Sequence, residues 1–242
     1  MPFLYLKNIG QETVIHSVND SIKMKLRVGS FDKWATYQVW KFGDYKSKSF
    51  AIQPTDTIID IGGHIGSFSI WAAKQAHQGK VFTFEPNTEN FLLLRENKEL
   101  NQIENLEIFN LAISDKIGEI PLFNSMQQNM GHSIYESHLL NHTVVKTIPL
   151  DEILRANQIE KVDLLKIDAE GAEYPILLNA SSDTLQKIDK IILEYHDYLN
   201  HGYTYQDIKN HLENNGFVVE RKTSLYRQSI LKLGVLIARK IY

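Results

Sequence analysis

The stretch IIDIGGHIG, residues 58–66, decides how the rest of the chain is read. It begins as a β-branched apolar run broken by one aspartate, the composition of a strand buried in a sheet. Three glycines then crowd around His64, as happens where a chain turns tightly and brings its backbone close to a ligand. A dinucleotide fingerprint needs glycines at the first, third and sixth positions, with a pyrophosphate at the following helix N-terminus. No frame fits: from Gly62 the later positions hold His64 and Ser67, and from Gly63 they hold Ile65 and Phe68. The pattern present is Asp-x-Gly-x-x-x-Gly, from Asp60 through Gly62 to Gly66. A carboxylate at the strand end is poor company for a pyrophosphate and suits a ligand with positive groups, such as an ammonium and a sulfonium.

Outward from this loop the chain alternates. SFSIWAAKQA has helical spacing, KVFTFE reads as a strand, and NTENFLLLRENKELN as a helix with Phe91, Leu94 and Leu100 on one side. LEIFNLAI reads as a third strand, and KTIPLDEILRANQ as a strand and a short helix with its N-cap at Asp151 or the residue before it. VDLLKID and DKIILEYH are the fourth and fifth core strands, TYQDIKNHLENNG a capped helix, and FVVERKTS and LGVLIARKI a closing antiparallel pair. Alternation of this kind predicts a parallel sheet covered on both faces. Residues 1–50, with KMKLRVG as a strand and WATYQVWKFGDY as a short helix, carry no linker composition and read as an N-terminal cap, not an independent domain; residues 51–242 form the main domain.

Composition narrows the function. The chain has 242 residues, 43% apolar and 23% charged, enough for one sizeable core. A net charge of −3 invites neither nucleic acid nor an anionic membrane. No cysteine occurs, which removes disulfides, thiolate metal sites and cysteine nucleophiles. The N-terminus lacks a signal-peptide pattern and no apolar run reaches the roughly 18 residues of a membrane span. The expectation is a cytoplasmic domain without a membrane span.

In such a sheet the ligand lies beyond the carboxyl ends of the strands, where the strand order reverses. The informative residues are therefore Asp60 to Gly66, Glu85 to Asn87, Ala112 to Asp115, Asp168 to Glu173, and Glu194 to Asp197. Glu85, 23 residues after Gly62, closes the second strand, where a carboxylate can accept both ribose hydroxyls. Together with the terminal strand pair, the combination points to S-adenosylmethionine (SAM) and away from NAD.

At this point the sequence resembles a class I SAM-dependent methyltransferase, and more narrowly the FkbM family. The resemblance covers about residues 50–222 and rests, in order, on TIIDIGGHIGSFSIWAA, VFTFEPNTENFLLLREN, NLAISDKIGEI, TIPLDEIL, VDLLKIDAEGAE and IILEYH. LKIDAEGAE is the most family-specific of these. The resemblance implies a Rossmann-like α/β fold: a seven-stranded, mostly parallel sheet with an antiparallel C-terminal hairpin and helices on both faces. It implies that Gly62, Gly63, His64 and Gly66 wrap the methionine part of SAM, with Asp60 setting the turn or meeting the ammonium. Glu85 would hold the ribose, Pro86 and Asn87 border the adenosine, and Ala112, Ile113 and Ser114 or Asp115 border the adenine. Asp168 would stand beside the methyl group and the acceptor.

Methyl transfer to a hydroxyl requires alignment and a proton acceptor, or a metal that acidifies the hydroxyl. Asp168, Glu170 and Glu173 crowd one loop, with Glu194 and His196 one strand away, the makings of an acid–base site. Asp168 and Glu194 are the expected ligands should a magnesium or manganese ion bind. The competing reading has Glu170 and Glu173 flanking a helix N-terminus, where acids are favoured. His132, His138 and His142 lie in a polar stretch that can cover the acceptor, and His132 is the candidate there to touch it.

The expected activity is O-methyl transfer from SAM to a hydroxyl of a sugar, glycan or secondary metabolite, the acceptor class being implied by the resemblance alone. No Asn-Pro-Pro-Tyr or Asp-Pro-Pro-Tyr run occurs, which disfavours methylation of amine nitrogens. The rivals are an NAD-linked oxidoreductase and a SAM-binding module without catalysis.

Overall fold

The computed structural model describes residues 12–42, 51–124, 132–133, 142–197, 202–222 and 233–241. Seven strands form the main sheet: β1 (Thr57–Ile61), β2 (Lys80–Phe84), β3 (Leu106–Phe109), β4 (Leu164–Ile167), β5 (Lys190–His196), β6 (Phe217–Lys222) and β7 (Leu233–Lys240). Their spatial order is β6-β7-β5-β4-β1-β2-β3. The five strands from β5 to β3 run parallel, while β7 inserts antiparallel to both β5 and β6. From β1 the chain steps outward through β2 to β3, then returns to lay β4 on the other side of β1. The order therefore reverses between β1 and β4, and the crevice for a ligand opens at their carboxyl ends.

Seven α-helices are described: α1 (Asp32–Tyr37), α2 (Ser67–Gln75), α3 (Thr88–Leu100), α4 (Leu150–Ala156), α5 (Glu173–Leu178), α6 (Ser182–Gln186) and α7 (Tyr205–Asn214). Alternate residues of each central strand enter opposite cores. Ile59, Ile61, Leu165, Ile167 and Leu193 pack against α4 to α7, whereas Ile58, Leu164 and Ile192 pack against α2, α3 and the N-terminal segment. Ile58 and Ile59 are both fully buried, each contributing roughly 1.5–3 kcal/mol. Among the described residues no helix is long and apolar enough to cross a membrane.

The N-terminal segment is an antiparallel hairpin, Thr13–Ser17 with Lys23–Arg27, followed by α1 and a π-helical turn, Gln38–Phe42. Ile22, Met24, Leu26 and Val39 belong to the same core as α2 and α3. Two asparagines, Asn97 on α3 and Asn101 at its C-cap, complete the outer edge of that hairpin. Asn97 accepts from the Lys25 N–H and donates back to Lys25 O, at 2.6 and 3.1 Å, and Asn101 does the same for Lys23, at 3.0 and 2.6 Å. Four residues apart on one helix face, they serve as a substitute strand for backbone groups that would otherwise be orphaned.

That face corrects one expectation. The inward stripe of α3 is Asn90, Leu93, Leu94 and Asn97, continued by the C-cap Asn101, while Leu100 is 37% exposed and Phe91 only half-buried. Buried polar residues carry the contact, which apolar periodicity cannot reveal. LEIFNLAI is also not one strand: it breaks after Phe109, and Ala112–Ser114 joins a separate four-stranded sheet with Gly118–Asn124, His132–Ser133 and His142–Pro149. The N-cap of α4 is Pro149, and the Asp151 carboxylate instead accepts from the Ser181 N–H at 3.1 Å, just ahead of α6.

Candidate active site

The glycine loop leaves β1 with its backbone held on β2: the N–H groups of Gly62 and Gly63 both donate to Phe84 O, at 3.0 and 3.1 Å. Gly62, His64 and Gly66 have φ of +84, +50 and +90°, the left-handed region that turns the chain into α2. A Cβ on Gly62 would stand 1.8 Å from Asp168 O, so this glycine lets β1's loop lie directly against the end of β4. The loop and the acidic segment that follows β4 are thus in contact.

Asp60 faces no open space. It is fully buried, accepts from Ser69 Oγ at 2.6 Å, and lies 3.0 Å from Lys166 Nζ. Burial pushes its carboxyl upward in pKa, against the pull of Lys166. Lys166 also donates to Gly62 O at 2.9 Å. The structure gives Asp60 a lysine of β4 as a positive partner, and its bond to Ser69 ties the root of the turn to α2. Lys166 is the residue that sequence reading missed. Its signal was a lysine inside LLKI, since a lysine in a central strand needs a buried partner.

Glu85 is 5% exposed and turns back onto the loop. Its Oε2 accepts from the His64 N–H at 2.7 Å and its Oε1 from the Asn87 N–H at 2.9 Å. Burial raises its pKa to about 7, partly offset by those backbone donors. Asn87 caps α3, accepting from the Asn90 N–H at 2.9 Å, and the Pro86 carbonyl accepts from Asn110 at 3.0 Å. Ala112, Ile113 and Ser114 are buried in the smaller sheet, with Ser114 Oγ donating to Asp115 at 3.1 Å.

The second cluster follows β4. Glu173 is fully buried at the start of α5; its carboxylate accepts from the N–H groups of Ala169 and Gly171, at 2.9 and 3.0 Å, and binds His196 Nδ1 at 3.0 Å. It staples the tight turn in which Glu170 and Gly171 both have positive φ, 48 and 104°. The helix-flanking reading thus holds for Glu173, with an added role in orienting His196. His196 Nε2 faces Glu170 Oε2 at 3.4 Å. Burial works against a charged ring at His196, but Glu173 and Glu170 outweigh it and push the pKa up to about 10. Burial pushes Glu170 to about 8; His196 opposes the shift, and the Asp168, Glu173 and Glu194 carboxylates add to it.

Among the described residues, Asp168, Glu170 and His196 are the one group of acids and histidines whose ligand atoms all lie within 4.8 Å of one another. Asp168 keeps its expected place in such a set. Glu194, expected beside it, stands outside, contributing like-charge repulsion to Glu170. The chemistry of the set fits a divalent cation only after His196 gives up a proton held between two carboxylates. The side chains of His132 and His138 fall outside the described residues, while His142 is exposed in the smaller sheet. A hollow lined by Glu160, Lys161, Asp183, Gln186, Lys187 and Asp189 lies at the opposite, amino-terminal ends of β4 and β5, away from this chemistry.

The sequence profile of the methyltransferase FkbM domain matches residues 60–219. The chain is 28% identical over 161 residues to the 2-O-methyltransferase NoeI of Sinorhizobium fredii, covering 60% of this chain and 65% of that protein. It is 25% identical over 167 residues to the hexuronic acid methyltransferase AglP of Haloferax volcanii, covering 66% of each. The match therefore spans just under two thirds of these relatives' length. The fold resembles that of the fibrillarin pre-rRNA processing protein of Methanococcus jannaschii, with a TM-score of 0.52 at 13% identity over 95% of this chain and 83% of that one. These likenesses agree with the class I methyltransferase architecture of the sheet.

Proposed function

The chain belongs to the methyltransferase FkbM family, and from that premise we propose that it is a SAM-dependent O-methyltransferase acting on a hydroxyl of a sugar, glycan or secondary metabolite. One observation carries the reading: the glycine loop and the Asp168–Glu170–His196 cluster touch, through Gly62 and the Asp168 carbonyl. A donor on the loop and an acceptor on the cluster would then be neighbours, the requirement for in-line transfer. The names of two relatives, a 2-O-methyltransferase and a hexuronic acid methyltransferase, favour a sugar hydroxyl as acceptor.

Each residue has a part. The turn at Gly62 to Gly66 would wrap the methionine end of SAM. Glu85 retains lone pairs beyond its two backbone contacts and would accept the ribose hydroxyls. When bound, SAM supplies an electrophilic methyl group on a sulfonium that becomes neutral as the methyl leaves. Asp168, partly exposed at the end of β4, would orient the acceptor hydroxyl, and Glu170 would take its proton. Glu173 holds His196, which steadies the Glu170 carboxylate before it takes the proton and becomes neutral. A divalent cation at the same groups would displace the His196 proton on binding, and turnover with and without a chelator reads whether one is used.

Calorimetry with SAM, S-adenosylhomocysteine and NAD tests the donor; NAD binding without SAM binding would overturn the reading. Transfer of labelled methyl from SAM into fractionated glycans and metabolites, with and without magnesium, tests the acceptor. Tight SAM binding with no transfer to any fraction would leave a binding module in its place.

A further inference from the structure

We propose that Arg27 and Asp32, in the N-terminal segment, are positioning residues of the cofactor site, gripping His64 and through it the glycine loop and Glu85. The inference rests on the assignment of that loop to SAM. Arg27 grips Asp32 with a fork: its Nε and Nη2 donate to the two carboxylate oxygens at 2.9 and 2.8 Å, and its backbone N–H adds a third bond at 2.8 Å. Asp32 is 1% exposed. The same Nη2 lies 3.2 Å from His64 Nε2, and Asp32 Oδ1 lies 3.5 Å from it. His64 is thus held at both ends, by this pair at its ring and by Glu85 at its N–H, 2.7 Å away.

Three further contacts bind the same segment to the loop and to the first residue of α2. Asn97 Nδ2 bridges Lys25 O and Ile65 O, at 3.1 and 2.9 Å. Thr36 Oγ1 and Ser67 Oγ are 3.0 Å apart, and Trp40 Nε1 donates to Ser67 O at 3.2 Å. His64 and Ser67 are therefore held by the N-terminal segment directly, and Ile65 through Asn97 of α3. A histidine in the left-handed region is strained where a glycine would not be. Its ring contact with the Arg27–Asp32 pair is what a glycine at this place would lose. The consequence is that the orientation of Glu85, the proposed ribose acceptor, depends on a pair of residues more than 50 positions earlier in the chain.

The test is a double-mutant cycle on the full chain, read by SAM calorimetry and by turnover at saturating SAM. His64→Asn keeps a residue that tolerates positive φ and keeps the N–H to Glu85. It is expected to weaken SAM roughly five- to tenfold; the split between KM and kcat is read on the Arg27 variant, which lies outside the loop and should keep kcat within about twofold of the parent. Arg27→Met should produce a similar loss, and the double variant no more than the worse single one. If Arg27→Met fails to fold, Arg27→Lys, which keeps the charge opposite Asp32 but loses the fork, takes its place in the cycle. Unchanged SAM affinity in His64→Asn, or losses that multiply in the double variant, would overturn the proposal. Failure of the parent protein to bind SAM would instead overturn the functional reading on which it rests.

Discussion

Lys166 Nζ lies 3.0 Å from Asp60 Oδ1, and the two residues are direct register partners on adjacent parallel strands, β4 and β1. Both are almost wholly buried. The pair ties the two strands that flank the switch point of the sheet, and Lys166 continues to Gly62 O, so one side chain fixes the root of the glycine loop.

Removing one partner leaves a buried charge uncompensated. Lys166→Met is therefore expected to cost about 3–5 kcal/mol in stability, read as a lower urea midpoint. Adding Asp60→Asn to it should recover much of that loss. Equal losses in the single and double variants would show that the two groups are not coupled.

Glu85 makes stability fall as pH rises. Its folded pKa is raised from 4.5 to about 7, so the folded protein binds more protons than the unfolded chain between those values. Stability contributed by the neutral form is present below pH 4.5, declines through the window and levels off above about 7. The full difference is on the order of 3 kcal/mol. Glu85→Gln should lack this slope, and urea titrations of both proteins from pH 4.5 to 8 should converge at the acid end. Parallel curves would remove the buried-acid assignment.

Asp168 and Glu170 should separate in kinetics. Asp168→Asn should lower kcat about a hundredfold while SAM affinity changes less than about threefold, as expected for a group that meets the acceptor alone. With burial holding Glu170 at about 8, kcat/KM of the parent should rise with pH towards that value as the proton leaves the carboxylate. Glu170→Gln should abolish that rising limb. A parent profile flat from pH 6 to 9 would exclude Glu170 as the base.

The main sheet was legible because the information for it is local. IIDI, KVFTF, LLKI and KIILEYH each announce a strand by composition, and the glycines between them announce turns that only small residues permit. The glycine spacing departs from the pyrophosphate fingerprint in every frame. The smaller sheet was not legible, because its strand GEIPLFN is mostly exposed or half-buried and carries no clean alternation. Nor was the inward face of α3, where asparagines do the work expected of leucines.

The amino-acid sequence by itself determined the order of strands and helices, the tight loop after β1 and the recurrence of acids at the strand ends. These follow from backbone sterics and from burial, which act between near neighbours in the chain. Which acid meets which partner was decided only by the tertiary structure. Asp60 was read as setting the turn or meeting a ligand's ammonium, and the cation that the fold places beside it is Lys166, 106 positions later. His64, read as one of the loop residues that wrap the methionine, is tied to Arg27 and Asp32 of the N-terminal segment. A side-chain charge has no preferred sequence distance. Its partner is whichever group the packed strands bring within about 4 Å, and only the folded chain sets that.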